Sequence, residues 1–139
     1  MTATIESLAR RIGELRAAEL AVFETLGAWS MDPESPPAER VGFAAGAHRA
    51  AWRAEQLAAR APVLASLPPD ETVIQGDDAL GTAAIALASL APDARADGVA
   101  AIDHLLADAY ATASETVAPT DAPSRRLFQR LAHDARLGD

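Results

Sequence analysis

Along the first thirty residues, apolar side chains recur at alternating intervals of three and four: Ile5, Leu8, Ile12, Leu15, then Glu19, then Val22, Leu26 and Trp29. No slip interrupts the spacing, and a stripe of that period is the buried face of one long amphipathic helix. Seven of the eight positions are apolar, and the eighth, Glu19, is a carboxylate. An ionised carboxylate is costly to bury unless it is ion-paired, hydrogen-bonded or bound to a metal. Glu19 is therefore the strongest pointer in the chain to a site.

This helix is expected to start at Thr2 or Thr4 and to reach about Ser30. Asp32-Pro33-Glu34-Ser35-Pro36-Pro37 ends it, because adjacent prolines cannot continue a helix although they can open one. Ser35 is the expected N-cap of a second helix that begins near Pro37 and is stopped by Pro62. Its expected seam is Val41, Ala45, His48, Trp52, Glu55 and Ala59. A short link between two long helices makes them an antiparallel pair.

Residues 62–76 are the least regular stretch and read as a linker, with a loop at Pro68-Pro69. The short β-like run Glu71-Thr72-Val73-Ile74 is too isolated to build a sheet. A short apolar helix is expected within 77–91, capped by Asp77 or Asp78; a helix apolar all round is buried or sits in an interface. A second hairpin occupies 93–137. Its first helix runs from Asp93 or Asp97 to Val117, with Val99, Ile102, Leu105, Leu106, Ala109, Ala113 and Val117 on one face. A turn at Pro119 to Pro123, with Thr120 or Asp121 as cap, leads into a last helix that buries Leu127, Phe128 and Leu131. The predicted fold class is all-α. Two antiparallel hairpins (2–61 and 93–137) and one short apolar helix form a single domain over 1–139.

Composition narrows the chemistry. The 139 residues suit one core. No apolar run approaches the roughly 18 residues of a membrane span, and the start MTATIESLARR lacks the apolar core of a signal peptide, so a cytoplasmic location without membrane contact is expected. Cysteine is absent, which removes disulfides, thiolate metal sites and thiol nucleophiles. Lysine is absent too, which removes Schiff-base chemistry and a Walker-type phosphate loop. This alanine-rich, lysine-free and asparagine-free composition matches a GC-rich bacterial genome. A net charge of -8 disfavours nucleic acid as a partner. The exception is the cluster Arg125, Arg126, Arg130 and Arg136, which reads as a solvated helix face with Asp121–Arg125 and Arg130–Asp134 pairs at helical spacing.

Three polar residues fall on the expected seams: Glu19, His48 and Glu55. In an antiparallel pair the middle of one helix lies near the middle of the other, which would bring Glu19 towards His48. Converging carboxylate and imidazole groups ligate a hard or borderline metal, or form a buried ion pair with no further role. Glu55, between Arg53 and Arg60, reads equally well as a solvated edge. His104 with Asp108, and His133 with Asp134, read as surface pairs. Trp29, Trp52 and Phe23 are the aromatics beside these seams, and read as core or as the wall of a pocket. A di-iron site of the helical carboxylate type needs Glu-x-x-His pairs, since i and i+3 share a face. None occurs: three positions before His48, His104 and His133 stand Ala45, Ala101 and Arg130. Neither a Gly-x-Ser-x-Gly elbow nor a His-Glu-x-x-His helix is present.

The run from Glu19 to Trp29, followed by His48 to Trp52, Glu55 and Arg60-Ala61-Pro62, resembles the first helical hairpin of small bacterial ferritin-like proteins. Leu105-Leu106 to Tyr110, and Thr120-Asp121-Ala122-Pro123 before a short Arg-rich helix, resemble their second hairpin. The resemblance implies that Glu19 occupies the position of a metal ligand in the first helix. It also puts Ala45 where the second helix would carry a ligating Glu, with His48 remaining. Asp103 is the nearest acid on the third long helix and fits the pattern poorly. At least half of the ligand set is missing.

Three functions follow as expectations. The first is a ferritin-like bundle without a complete di-metal site, acting as a binding or assembly protein, as a homodimer through the apolar 79–91 segment or with a protein partner. The second is a metal-dependent oxidoreductase with a reduced site of Glu19, His48 and Glu55, its metal iron or manganese. The third is a small-molecule site using Glu19 and His48 as an acid/base couple.

Overall fold

A computed structural model of the chain describes residues 5–61 and 79–137. Among the described residues five α-helices follow one another: α1 (Ile5–Met31), α2 (Pro37–Arg60), α3 (Ala79–Ala86), α4 (Arg95–Thr116) and α5 (Ala122–Arg136). The fold is an all-α bundle in which α1–α2 and α4–α5 form antiparallel pairs and the short α3 lies against α1. Single 3-10 turns at Leu87–Ser89 and Pro92–Ala94 connect α3 to α4. No described helix is long and apolar enough to cross a membrane. The expected linker 62–76 and the caps Asp77 and Asp78 lie outside the described residues.

The seam of α1 forms as its spacing predicts from Ile12 onward, while Ile5 at its start is exposed and Leu8 is only partly buried. Ile12, Leu15, Glu19, Val22, Leu26 and Trp29 are all buried, and Ala9, Gly13 and Ala18 widen the stripe. The face of α2 does not follow its expected seam. The buried residues are Phe43, Gly46, Ala47, Ala50, Arg53, Ala54 and Leu57. Val41, Ala45, His48, Trp52, Glu55 and Ala59 all stand exposed. The two sets are offset by two residues, about 200° of helix, so the chain buries the opposite side. Small residues explain the choice. At Gly46 an added Cβ would lie 3.0 Å from Leu26 Cδ1, so the Leu26 side chain packs directly on the α2 backbone there. Trp29 closes the end of the hairpin by meeting Phe43 edge-on, with ring centroids 5.4 Å apart.

The turn between the two helices is held by polar contacts. The amide of Glu34 donates to Asp32 Oδ1 at 2.9 Å, and Arg40 donates to the carbonyls of Ser35 and Pro33. Ser35 does not cap α2 as expected; Pro36 is the cap residue and no side chain bonds there. Two prolines at the start leave fewer N–H groups needing a partner. The Ser35 hydroxyl is buried and accepts from Arg95 Nη1 at 2.8 Å instead.

In the second pair, Asp121 caps α5 as expected, accepting from the amide of Ser124 at 3.2 Å. Leu127, Phe128 and Leu131 are buried, as their spacing requires. On α4 the buried face includes Ile102, Leu106 and Ala113 but also Asp103 and Tyr110, while Leu105 is exposed. In the apolar 79–91 segment Leu80, Ala84 and Leu87 are buried and Ile85 is exposed.

Candidate functional site

The centre of the bundle is ionic. Glu19 is completely buried, and its carboxylate is gripped by the guanidinium of Arg53 in a two-point contact: Nε to Oε2 at 2.5 Å and Nη2 to Oε1 at 3.1 Å. The hydroxyl of Tyr110 donates to the same Oε2. The remaining guanidinium nitrogen, Nη1 of Arg53, donates to Asp134 Oδ2 at 2.8 Å. One residue from each long helix therefore enters a single network: Glu19 from α1, Arg53 from α2, Tyr110 from α4 and Asp134 from α5. Asp103, buried on α4, acts on Glu19 through space as a further negative group.

Burial pushes the Glu19 carboxyl above its ordinary range, against the pull of Arg53 and Tyr110. For Arg53, burial opposes the charge, but the neighbouring Glu19 carboxylate outweighs it and the guanidinium holds its proton more tightly than usual. An arginine does not give up its charge in a protein. Three donors and no acceptor face the Glu19 oxygens, so the arrangement fits an ionised carboxylate. Burial, and then the charge of Glu19, also drive the Tyr110 phenol well upward, so it stays protonated and donating.

A second cluster locks the hairpin turn to the start of α4. Arg95 Nη1 donates to Asp32 Oδ2 and to Ser35 Oγ, both at 2.8 Å, and its guanidinium carbon lies 5.1 Å from the centre of the Trp29 ring. Hydrogen bonds from the Glu34 amide and from Arg95 hold the Asp32 carboxyl below its usual range. Farther along, Arg60 joins α2 to the cap of α5, donating to Ser124 Oγ at 2.9 Å and Asp121 Oδ1 at 2.7 Å.

Glu19, His48 and Glu55 are not brought together. Glu19 lies at the centre, and both of its carboxylate oxygens are taken by Arg53 and Tyr110. His48 and Glu55 sit on the outer face of α2. Among the described residues, no group of three His, Asp or Glu side chains is placed to hold a metal ion. The aromatics part in the same way. Trp29 belongs to the core, Trp52 stands on the outside, and Phe23 lines a surface groove of about 290 Å³ with Leu20, Arg16, Ala51, Ala54 and Glu55.

His104 makes the expected surface pair with Asp108, at 3.4 Å. Asp134 turns inward to Arg53 and not to His133 or Arg130, and Asp121 takes Arg60 as its ionic partner and not Arg125.

Arg53, Tyr110 and Asp134 are the residues of the network that the sequence spacing did not mark. A signal for Arg53 exists in the turn. Pro36 lies midway along the chain between Glu19 and Arg53, and likewise between Trp29 and Phe43, so a hairpin that reverses at Pro36 sets Glu19 level with Arg53 and not His48. In a chain without lysine, a buried Glu that needs a cation must take an arginine or a histidine. Comparison of the chain with family models, with curated proteins and with solved structures returns no match.

Proposed function

We propose that this chain is a ferritin-like bundle without a working di-metal centre, and that it acts as a binding and assembly protein. The observation that carries this reading is the Arg53 guanidinium at the centre of the bundle. It supplies the positive charge that a carboxylate on the middle of α1 would otherwise take from a metal, and Tyr110 and Asp134 complete its hydrogen bonding. Such a centre is a closed structural element. Activity in this reading belongs to the outer surface, where Met31, Val41, Ile85, Leu105, Phe23 and Trp52 expose apolar side chains. Exposed apolar surface of this kind marks contact with other proteins when it is contiguous.

Metal analysis tests the reading. Full-length protein is expressed with iron, manganese and zinc supplied, and its metal content and iron-dependent oxygen uptake are measured. The expected result is metal well below one ion per chain and no uptake above buffer. One or two ions per chain, together with oxygen consumption, would overturn it and return the reduced-site oxidoreductase to first place.

A further inference from the structure

The face of α2 that the bundle leaves outside has the form of a helix-packing seam. Val41, Ala45, His48, Trp52, Glu55 and Ala59 recur at alternating intervals of four and three, the spacing that buries a stripe against another helix. All six are exposed, Val41 at 75% and Trp52 at 37%. No described helix of this chain covers them. The other stripe of the same helix already packs on α1, so α2 carries two opposed seams and the described residues satisfy one.

The order of residues on the open seam selects its partner. Read in both directions from Trp52, the stripe meets groups that complement each other. His48 lies on one side and Glu55 on the other, and beyond them stand Ala45 and Ala59. When two such helices run antiparallel about a two-fold axis at Trp52, each His48 falls opposite Glu55 of the partner subunit, and each Ala45 opposite Ala59 of the partner subunit. In a parallel pairing His48 would meet His48 and Glu55 would meet Glu55, which is unfavourable. A two-fold interface requires this reciprocity, with residue i on j and j on i. The imidazole has an N–H to offer a carboxylate whether or not it is protonated. The alanines let the helix axes approach within the 8–10 Å typical of packed helices. The groove between α1 and α2 beside Trp52, lined by Leu20, Phe23, Ala51 and Ala54 together with the charged Arg16 and Glu55, provides a largely apolar recess for an aromatic side chain. An aromatic residue at the middle of a patch, ringed by polar groups, is the usual composition of a binding hot spot.

We infer that the outer face of α2 is a self-association surface, on which two copies of the chain pack α2 against α2 antiparallel about Trp52, each His48 against Glu55 of the partner subunit. This deepens the assembly reading above by naming the partner as a second copy, and it places the contact on α2, not on the 79–91 segment.

The test is the oligomeric state of the full chain, by sedimentation equilibrium from about 1 to 100 µM, with charge exchange on the seam. Wild type is expected to dimerise. His48→Glu sets carboxylate against carboxylate twice per dimer and should raise the dissociation constant at least about tenfold, since like-charge contacts across an interface cost several kcal/mol. Glu55→Arg should weaken the dimer as well. The double variant His48→Glu/Glu55→Arg restores opposite charges and should recover most of the affinity. Both positions are exposed, so circular dichroism should be unchanged throughout, and thermal midpoints should agree at concentrations where every variant is monomeric. A chain monomeric at every concentration overturns the inference. So does a dimer that tolerates both single reversals, or a double variant no tighter than the singles. A metal-free monomer would overturn this interface alone. A metal-loaded, oxygen-consuming protein that dimerises with this charge pattern would overturn the assembly reading and support the interface.

Discussion

Glu19 and Arg53, 34 residues apart in the chain, face each other across the α1–α2 interface in a buried two-point ion pair. The pair has a cost and a use. Desolvating both charges offsets much of their attraction, so a buried ion pair is weak evidence for net stability, while breaking one half leaves an uncompensated charge. Its use here is to set the rotation of α2: Arg53 inward requires Trp52 outward.

That asymmetry gives the first prediction. Glu19→Leu alone or Arg53→Met alone should each lose about 3–5 kcal/mol, because each strands the other's charge in the core. The double variant should lose far less than the sum of the two single losses, because an apolar pair of similar volume avoids both desolvation costs, and what it still loses is the acceptor of the buried Tyr110 hydroxyl. Urea unfolding of the four proteins checks this. Additive losses in the double variant would show that the two side chains act independently.

Tyr110→Phe removes one donor from the Glu19 carboxylate and leaves the ring packed. A hydrogen bond to a charged group contributes about 1.5–3 kcal/mol, and that is the expected loss. The same change in the background lacking Glu19 and Arg53 should cost much less. An equal loss in both backgrounds would mean that the hydroxyl does not act through Glu19.

The turn cluster predicts a dependence on pH. The folded-state pKa of Asp32 lies below its ordinary value of 3.8. A depressed carboxylate contributes stability that is fully present above the unfolded pKa and is lost as pH falls through the folded one. Thermal midpoints of wild type should therefore drop as pH is lowered below about 4. Asp32→Asn should lower the midpoint at neutral pH and show a shallower acid dependence. An unchanged slope would mean that the Arg95 contact does not depend on the Asp32 charge.

The sequence by itself determined the helices, their ends and the existence of a buried charge. The α1 seam needed only its period, and Pro36-Pro37 and Asp121 marked helix starts through backbone chemistry that is local to each turn. Glu19 was legible for the same reason: a carboxylate in an unbroken apolar stripe is anomalous wherever the stripe packs. Only the tertiary structure decided which way α2 turned and what met Glu19. An alanine-rich helix offers several faces of nearly equal apolarity, so periodicity favoured the side carrying Trp52. The packing of Leu26 on Gly46 and the reach of Arg53 to Glu19 chose the other. Tyr110 and Asp134 come from helices 91 and 115 residues beyond Glu19, respectively. No local pattern encodes that meeting, because it follows from how two hairpins dock, and docking is set by the packing of whole faces.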